Sequence, residues 1–335
     1  MSMEATGRAT GSGPQDGAVQ DFLRRTATMP WFNVAVASVI MYAVFAFITG
    51  DTFNTANNQI TIARAASVYL ILAVGQTLVM TTGGIDISTG SMVGVVGAII
   101  GSGLQAGSID PVLAIPLAVL LGAALGAVNG FNVTVLGVPP LLATLGTFVA
   151  YRGFTQHYMG VNLVTGLPDT VVAVGRAVIW GVPLPVYVAV ILAILGWFVL
   201  ERTLYGRYIT AIGSNARAAE ATRINVPLIT ASTYAIQGAL AGVAALVLMG
   251  RLNSSSAAMG EGIELHVVAA VVLGGTYLFG GRSTMVGAVL GVYLIGMLEN
   301  GLIQTGAGFF VQKMILGALI VAAVALQIRQ KGARA

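Results

Sequence analysis

Charged and polar positions in this chain come in short clusters that separate long uncharged apolar runs. The first run, from Trp31 to Gly50, has about 20 residues, enough to cross roughly 30 Å of hydrocarbon at about 1.5 Å per helical residue. Ala65–Ile85 and Ile87–Ile109 follow. Pro111–Tyr151 is about twice the length one span needs and breaks at Gly137-Val138-Pro139-Pro140, because proline ends helices and disfavours helix in the residue before it. Gly153–Pro183 is less apolar, holds Asp169 and Arg176, and reads as a loop with one short surface helix. Leu184–Leu200 is the sixth span, and after the strongly charged stretch Glu201–Val226 comes Leu228–Gly250. Ile263–Phe279, Thr284–Leu302 and Gln312–Ile328 complete a set of about ten helices.

Residues 1–30 are polar and rich in small residues, with Arg24 and Arg25 directly before the first run. A cleaved signal peptide begins with its charges and a short apolar core. This segment therefore reads as a disordered cytoplasmic tail, residues 31–328 as a transmembrane domain, and residues 329–335 as a second cytoplasmic tail. An even number of spans puts both termini on one side. With that side inside, Arg8, Arg24, Arg25, Arg202, Arg207, Arg217, Arg223, Arg282, Arg329, Lys331 and Arg334 are cytoplasmic. Arg64, Arg152, Arg176, Arg251 and Lys313 are outside, and this bias of Lys and Arg near span ends sets the orientation.

Composition agrees. Of 335 residues 56% are hydrophobic and 8% charged, and mean hydropathy is +0.88. No soluble fold of this size buries that much apolar surface, so the expected class is an all-α integral membrane protein. Cysteine is absent, which removes disulfides, thiolate metal sites and thiol nucleophiles. His157 and His266 are too far apart in sequence to suggest a zinc site. The net charge of +4 comes from scattered arginines and so reads as orientation, without the clustering of a nucleic-acid binder. Glycines stripe three helices at spacing four or near it: Gly90, Gly94, Gly97 and Gly101; Gly122, Gly126 and Gly130; Gly287 and Gly291. Small residues so spaced let helices approach closely in lipid. A weak half-length echo relates Gly83-Gly84 and Ser91-Met92-Val93-Gly94 to Gly280-Gly281 and Thr284-Met285-Val286-Gly287, at a separation of 285 − 92 = 193 residues. Repeat-built transporters show such echoes.

The chemistry the chain lacks narrows its role. No G-x-x-x-x-G-K-[ST] loop is present to cradle nucleotide phosphates. No span carries an acid pair or an acid–arginine pair near its centre, and Asp86 and Glu299 fall at span ends. Ion-coupled carriers commonly place ionisable residues mid-helix. The expectation is a non-catalytic permease without cofactor or metal, driven from outside; a stand-alone ion-coupled secondary transporter is the competing class. The amides Gln76, Asn129 and Gln237 lie within apolar helices, where they act either as glue between helices or as the lining of a polar path for a hydroxyl-rich solute.

The charged stretch has its own pattern. Ala216 to Thr222 is rich in helix formers, Arg217 and Glu220 stand three apart, and Arg223 follows. An exposed cytoplasmic helix of this kind is either a docking element for a partner or a solvated connector. At Thr203–Asn215 the pattern T-x-x-G-R-x-x-x-A-I-G-x-N, together with Ala73-Val74-Gly75, Thr82-Gly83-Gly84-Ile85-Asp86-Ile87-Ser88 and Glu264-Leu265 through Val271-Val272-Leu273-Gly274-Gly275-Thr276, resembles the ribose-type branch of the ABC-transporter permeases. These are the membrane subunits of bacterial monosaccharide importers, and the matches run in order across residues 60–330.

The resemblance implies import of a pentose, hexose or related polyol across the bacterial inner membrane. It implies a pore of two permease subunits, either a homodimer or a pair of related chains. A tandem ATP-binding-cassette ATPase would dock beneath and a periplasmic sugar-binding protein would deliver solute. By the same analogy Gly206, Arg207, Gly213, Asn215, Arg217, Glu220 and Arg223 belong to the ATPase-coupling loop 201–226. Two residues depart from the family pattern: His266 stands where many relatives have aspartate, and Arg223 where relatives often have glycine.

Overall fold

The computed structural model describes residue 29 and residues 31–332. The expected N-terminal tail, Met29 apart, and residues 333–335 lie outside the described residues, and with them Arg8, Arg24, Arg25 and Arg334 of the orientation count.

Apolar runs of about 20 residues satisfy their backbone only by helix formation in lipid, and helices dominate the chain. They are α1 (Phe32–Thr49), α2 (Ala56–Thr81), α3 (Thr89–Gln105), α4 (Ala114–Thr134), α5 (Pro140–Met159), α6 (Asp169–Arg176) and α7 (Leu184–Arg202). After these come α8 (Leu204–Ser214), α9 (Ala216–Ala221), α10 (Val226–Leu252), α11 (Ile263–Leu273), α12 (Met285–Gln304) and α13 (Phe309–Gly332). Strand pairing among the described residues is limited to Val164–Thr165 with Ser254–Ser255 and Val178–Ile179 with Val182–Pro183. Helices α1, α2, α4, α7, α10 and α12 are long and apolar enough to cross a membrane. Helices α3 and α11 and the start of α13 are shorter apolar helices. Helix α5 is long enough, but its C-terminal half carries Arg152, Gln156 and His157.

Local signals explain most boundaries. Thr55, Thr203, Asn215, Asn225 and Thr284 cap α2, α8, α9, α10 and α12 by accepting from first-turn N–H groups. Proline opens α5 where the sequence places the break, after Gly137 in the left-handed region at φ +68°. Three expectations are corrected. The short helix in 153–183 exists as α6, but it is no mere surface helix: Val171 and Gly175 are buried, and Gly175 lies against the backbone of Gly250 and Arg251. The first half of the charged stretch is helical too, because Leu204–Ser214 buries Gly206, Ile209 and Ile212 on one face. At the C-terminus, α13 runs past Ile328 to Gly332, so four residues of the expected tail are helix.

The glycine stripes divide by what covers them. Gly122, Gly126 and Gly130 of α4 meet Gly238, Tyr234 and Ala231 of α10 so closely that a Cβ at any of them would strike a carbonyl of that helix. This is the helix–helix contact the spacing predicts. The α3 stripe does something else. Gly101 and Gly97 face Ser255, Gly97 and Gly94 face Met259, and Gly90 faces Gly260 and Glu264. What lies in the groove is the non-helical segment between α10 and α11, which dips along α3 before chain direction reverses. The glycines let a bare backbone lie close against the helix, where protein covers it.

Two further breaks interrupt helical runs. Thr82–Ser88 separates α2 from α3 and turns at Gly83 (φ +88°); Gly274–Thr284 separates α11 from α12 and turns at Gly275, Gly280 and Gly281. Around them, Ser67–Thr81 of α2 (Tyr69 excepted) and Thr89–Ala98 of α3 are buried on every face. The outward faces of α1, α4, α5 and α7 expose Phe47, Phe131, Leu142 and Phe198. A rim of large apolar side chains around a polar-seamed centre suits a surround of hydrocarbon.

Candidate functional site: a buried polar seam and an exposed loop

Asp86 sits in the first break and is completely buried. A carboxylate in such a place persists only with several donors, and the neighbouring elements supply them. One carboxylate oxygen accepts from the Ser88 N–H at 2.8 Å and the Ser88 hydroxyl at 2.7 Å. The other accepts from the Asn129 amide of α4 at 3.3 Å, and the same amide donates to Ser88 Oγ at 2.8 Å. Thr147 of α5 donates to Asn129 Oδ1 at 2.6 Å, and Thr144 donates to the Ile85 carbonyl at 3.0 Å. From α2 the Gln76 amide, oriented to pair with the Asp86 backbone, donates to its carbonyl at 3.0 Å and accepts from its N–H at 3.2 Å. Three helices thereby clamp one irregular segment.

Of the three amides singled out in the sequence, Gln76 and Asn129 belong to this seam. Gln237 does not bond to it. It is fully buried on α10 with its side chain against Gly75, and neither amide atom has a hydrogen-bond partner among the described residues.

A second polar group lies toward the end of the bundle where α10–α11 and α12–α13 connect. His266 Nε2 of α11 pairs with Glu299 of α12 at 2.7 Å, and its Nδ1 lies 2.8 Å from the Gly262 carbonyl. The Tyr69 ring of α2 stacks on the imidazole at 5.2 Å, and its hydroxyl donates to Glu299 at 3.3 Å. These residues and Lys313 border a cavity of about 380 Å³. The histidine departure is thus more than an altered cap: it ties α11 to α12. Nearby, Arg152 of α5 donates to the Met259 carbonyl at 3.0 Å, holding the dipping segment in its groove. Glu264 is buried, with one oxygen accepting from the Gly262 N–H at 3.2 Å and the other pressed on Gly90 at the start of α3.

The loop residues divide by face. Gly206 is buried at the α7–α8 corner, where a Cβ would meet the Val199 and Leu200 carbonyls. Asn215 accepts from the Ala218 N–H at 3.1 Å and so starts α9. Arg207, Arg217, Glu220 and Arg223 are exposed. Tyr205 meets Ser232 of α10 at 2.7 Å, and burial pushes its phenol above the ordinary value, so it stays neutral and hydrogen-bonded. The glycine departure has a conformational explanation. Arg223 N–H donates to the Glu220 carbonyl at 2.9 Å and Ile224 N–H to the Ala219 carbonyl at 3.3 Å, a Schellman cap whose turning residue, Arg223, has φ +66°. Glycine is the natural occupant of that position.

Sequence reasoning missed Asp86, Ser88 and Thr147 as one unit. The available signal was an acid flanked by hydroxyls after two glycines, between two runs too apolar to need any of them. It also missed the pairing of His266 with Glu299, two residues that no spacing rule connects.

A family model described as "Branched-chain amino acid transport system / permease component" matches residues 58–324. The ribose import permease protein RbsC of Escherichia coli (strain K12) is 36% identical over 311 residues, covering 90% of this chain and 95% of that protein. The D-allose transport system permease protein AlsC of the same organism is 34% identical over 288 residues, 86% of this chain and 88% of that protein. The autoinducer 2 import system permease protein LsrD of Yersinia pseudotuberculosis is 32% identical over 260 residues, 76% and 78%. No solved structure matches the chain.

Proposed function

Because this chain belongs to the permease family described as the branched-chain amino acid transport system permease component, in its ribose-type branch, we propose that it is the membrane subunit of an ABC importer for a monosaccharide or related polyol. The observation that carries this reading is identity spread over nine-tenths of the chain with a ribose permease. The family description names amino acids, but the relatives above are named for ribose, D-allose and autoinducer 2.

Ten spans with both termini cytoplasmic fit the helix order and the arginine bias. The two glycine-turned breaks that precede α3 and α12 support an internal half-length relation. In this arrangement a tandem ATPase docks on α9 from the cytoplasm, a periplasmic binding protein presents solute from outside, and a second permease chain completes the pore in the bacterial inner membrane. ATP hydrolysis belongs to the partner. ATP closes the ATPase pair, which binds one orientation of the docked α9 helices more tightly, and that differential affinity shifts the pore between inward-open and outward-open states. Gln237, buried without a hydrogen-bond partner among the described residues, is the strongest of the three amides as a path residue; Gln76 and Asn129 act as its structural frame.

The test is reversal of charge on α9. Arg217→Glu, Glu220→Arg and Arg223→Glu together should release the ATPase from the purified complex or leave it hydrolysing without uptake. Full retention of coupled uptake refutes the docking role. Uptake in vesicles free of any ATPase, abolished by dissipating the proton gradient, selects the secondary-carrier alternative.

A further inference from the structure

Where α8 ends, three pieces of backbone meet with no side chain between them. The Gly281 N–H of the second break donates to the Thr81 carbonyl at the end of α2, at 3.0 Å. Gly213, in the last turn of α8, lies against that same bond: a Cβ there would overlap the Thr81 oxygen and stand 2.5 Å from Gly281 N. A Cβ on Gly280 would come within 2.7 Å of Gly83 N in the first break and 3.0 Å of the Gly213 Cα. Beside this junction the Thr81 hydroxyl donates to Ser283 Oγ at 2.7 Å. Real Cβ contacts do not reach such distances, so each of these positions admits glycine alone without a shift of backbone.

We propose that Gly213 is a positioning residue that sets both helix breaks at once from the end of the coupling loop. The proposal rests on the reading of α9 as the ATPase dock. Asn215, two residues on, is the extended joint between the helices: its N–H donates to the Ala211 carbonyl of α8 at 3.0 Å, its side chain caps α9, and exposed Arg217 stands four residues from Gly213 across it. A displacement of α9 therefore reaches Gly213 through one residue hydrogen-bonded to both helices, and from there backbone pushes on backbone. Close-packed contacts of this kind transmit small shifts because they cannot deform continuously. The first break carries Asp86 and its clamp; the second leads into α12. One rigid contact moves the ends of both.

The chain has no native cysteine, so a cross-link can report the junction directly. Thr81→Cys with Ser283→Cys puts two sulfurs where the hydroxyl oxygens now lie within bonding reach. In the assembled complex with its ATPase, disulfide yield should differ by about threefold or more between nucleotide-free and ATP-bound states, because a ligand that favours one junction state shifts its population. With Gly213→Ala added, the yield in the complexes that assemble should cease to follow nucleotide. Gly153→Ala, at a glycine with open space around it, should leave the response intact. The proposal is overturned if the Gly213→Ala complex responds as fully as the native loop. It is overturned equally if the native-loop pair shows no nucleotide dependence, a result that needs no substitution at Gly213 and so stands even where that variant fails to assemble. An ATPase that never associates with the native chain sinks the docking reading itself; one that binds and hydrolyses over an unresponsive junction sinks only this inference.

Discussion

Asn129 and Gln237 are two buried amides that look alike in sequence and should behave oppositely when made apolar. Asn129 makes three side-chain hydrogen bonds, to Ser88, Asp86 and Thr147. Asn129→Leu keeps the branching of the side chain with bulkier terminal groups, so no cavity forms and the loss is polar, with some overpacking added. In membrane interiors a side-chain hydrogen bond contributes about 0.6 kcal/mol on average. Thr147 can fall back on the Ala143 and Thr144 carbonyls at 3.3 and 3.2 Å. The second Asp86 oxygen loses the one side-chain donor described above, and orphaning a buried charged acceptor costs about 1–3 kcal/mol or more. The expected destabilisation is about 2–4 kcal/mol. Gln237→Met removes an amide with no partner among the described residues and should be neutral or stabilising by up to about 1 kcal/mol. Denaturation with SDS in mixed micelles, followed by circular dichroism, measures both. The reasoning fails if Asn129→Leu lies within about 0.5 kcal/mol of the native chain, the range of an ordinary surface substitution, or if Gln237→Met is equally damaging. If Gln237 borders the path, its methionine variant combines native stability with slowed uptake, a pairing that a packing role cannot produce.

Two departures from the family pattern give further tests. Arg223→Gly relieves a left-handed conformation that costs an L-residue about 1–2 kcal/mol; it should raise the protection of the α9 amides in hydrogen exchange, and unchanged protection would contradict the cap assignment. His266→Asp places a carboxylate against Glu299 in a pair whose side chains are 17% and 27% exposed. It should lower stability by about 1–2 kcal/mol, a figure kept below that for a fully buried pair because of this exposure. Adding Glu299→Gln should restore most of the loss, and a double variant no better than the single one removes the ion pair from the account.

What the sequence revealed, and what it withheld, follows from how each feature is encoded. Helices were legible because lipid leaves the backbone no other solution, and the α4–α5 break was legible because Pro139 and Pro140 carry it in their own geometry. The α9 helix was visible in its composition. The α3 stripe was visible as a stripe but silent about its occupant: small residues at spacing four announce that something comes close, not whether it is helix or bare chain, and Ser255–Gly260 has no period to betray it. Asp86 reads in sequence as a residue at a span end, where water would meet it. Only folding shows that the chain turns at Gly83 and carries the acid back among α2, α4 and α5, where water is replaced by Gln76, Asn129 and Ser88. The same holds for Gly213. In the loop pattern it is one small residue among several, and its constraint arises wholly from Thr81 and Gly281, 132 and 68 positions away (213 − 81 and 281 − 213). Local rules thus reach the elements, while the functional contacts depend on which backbones the packed helices bring together at their broken ends.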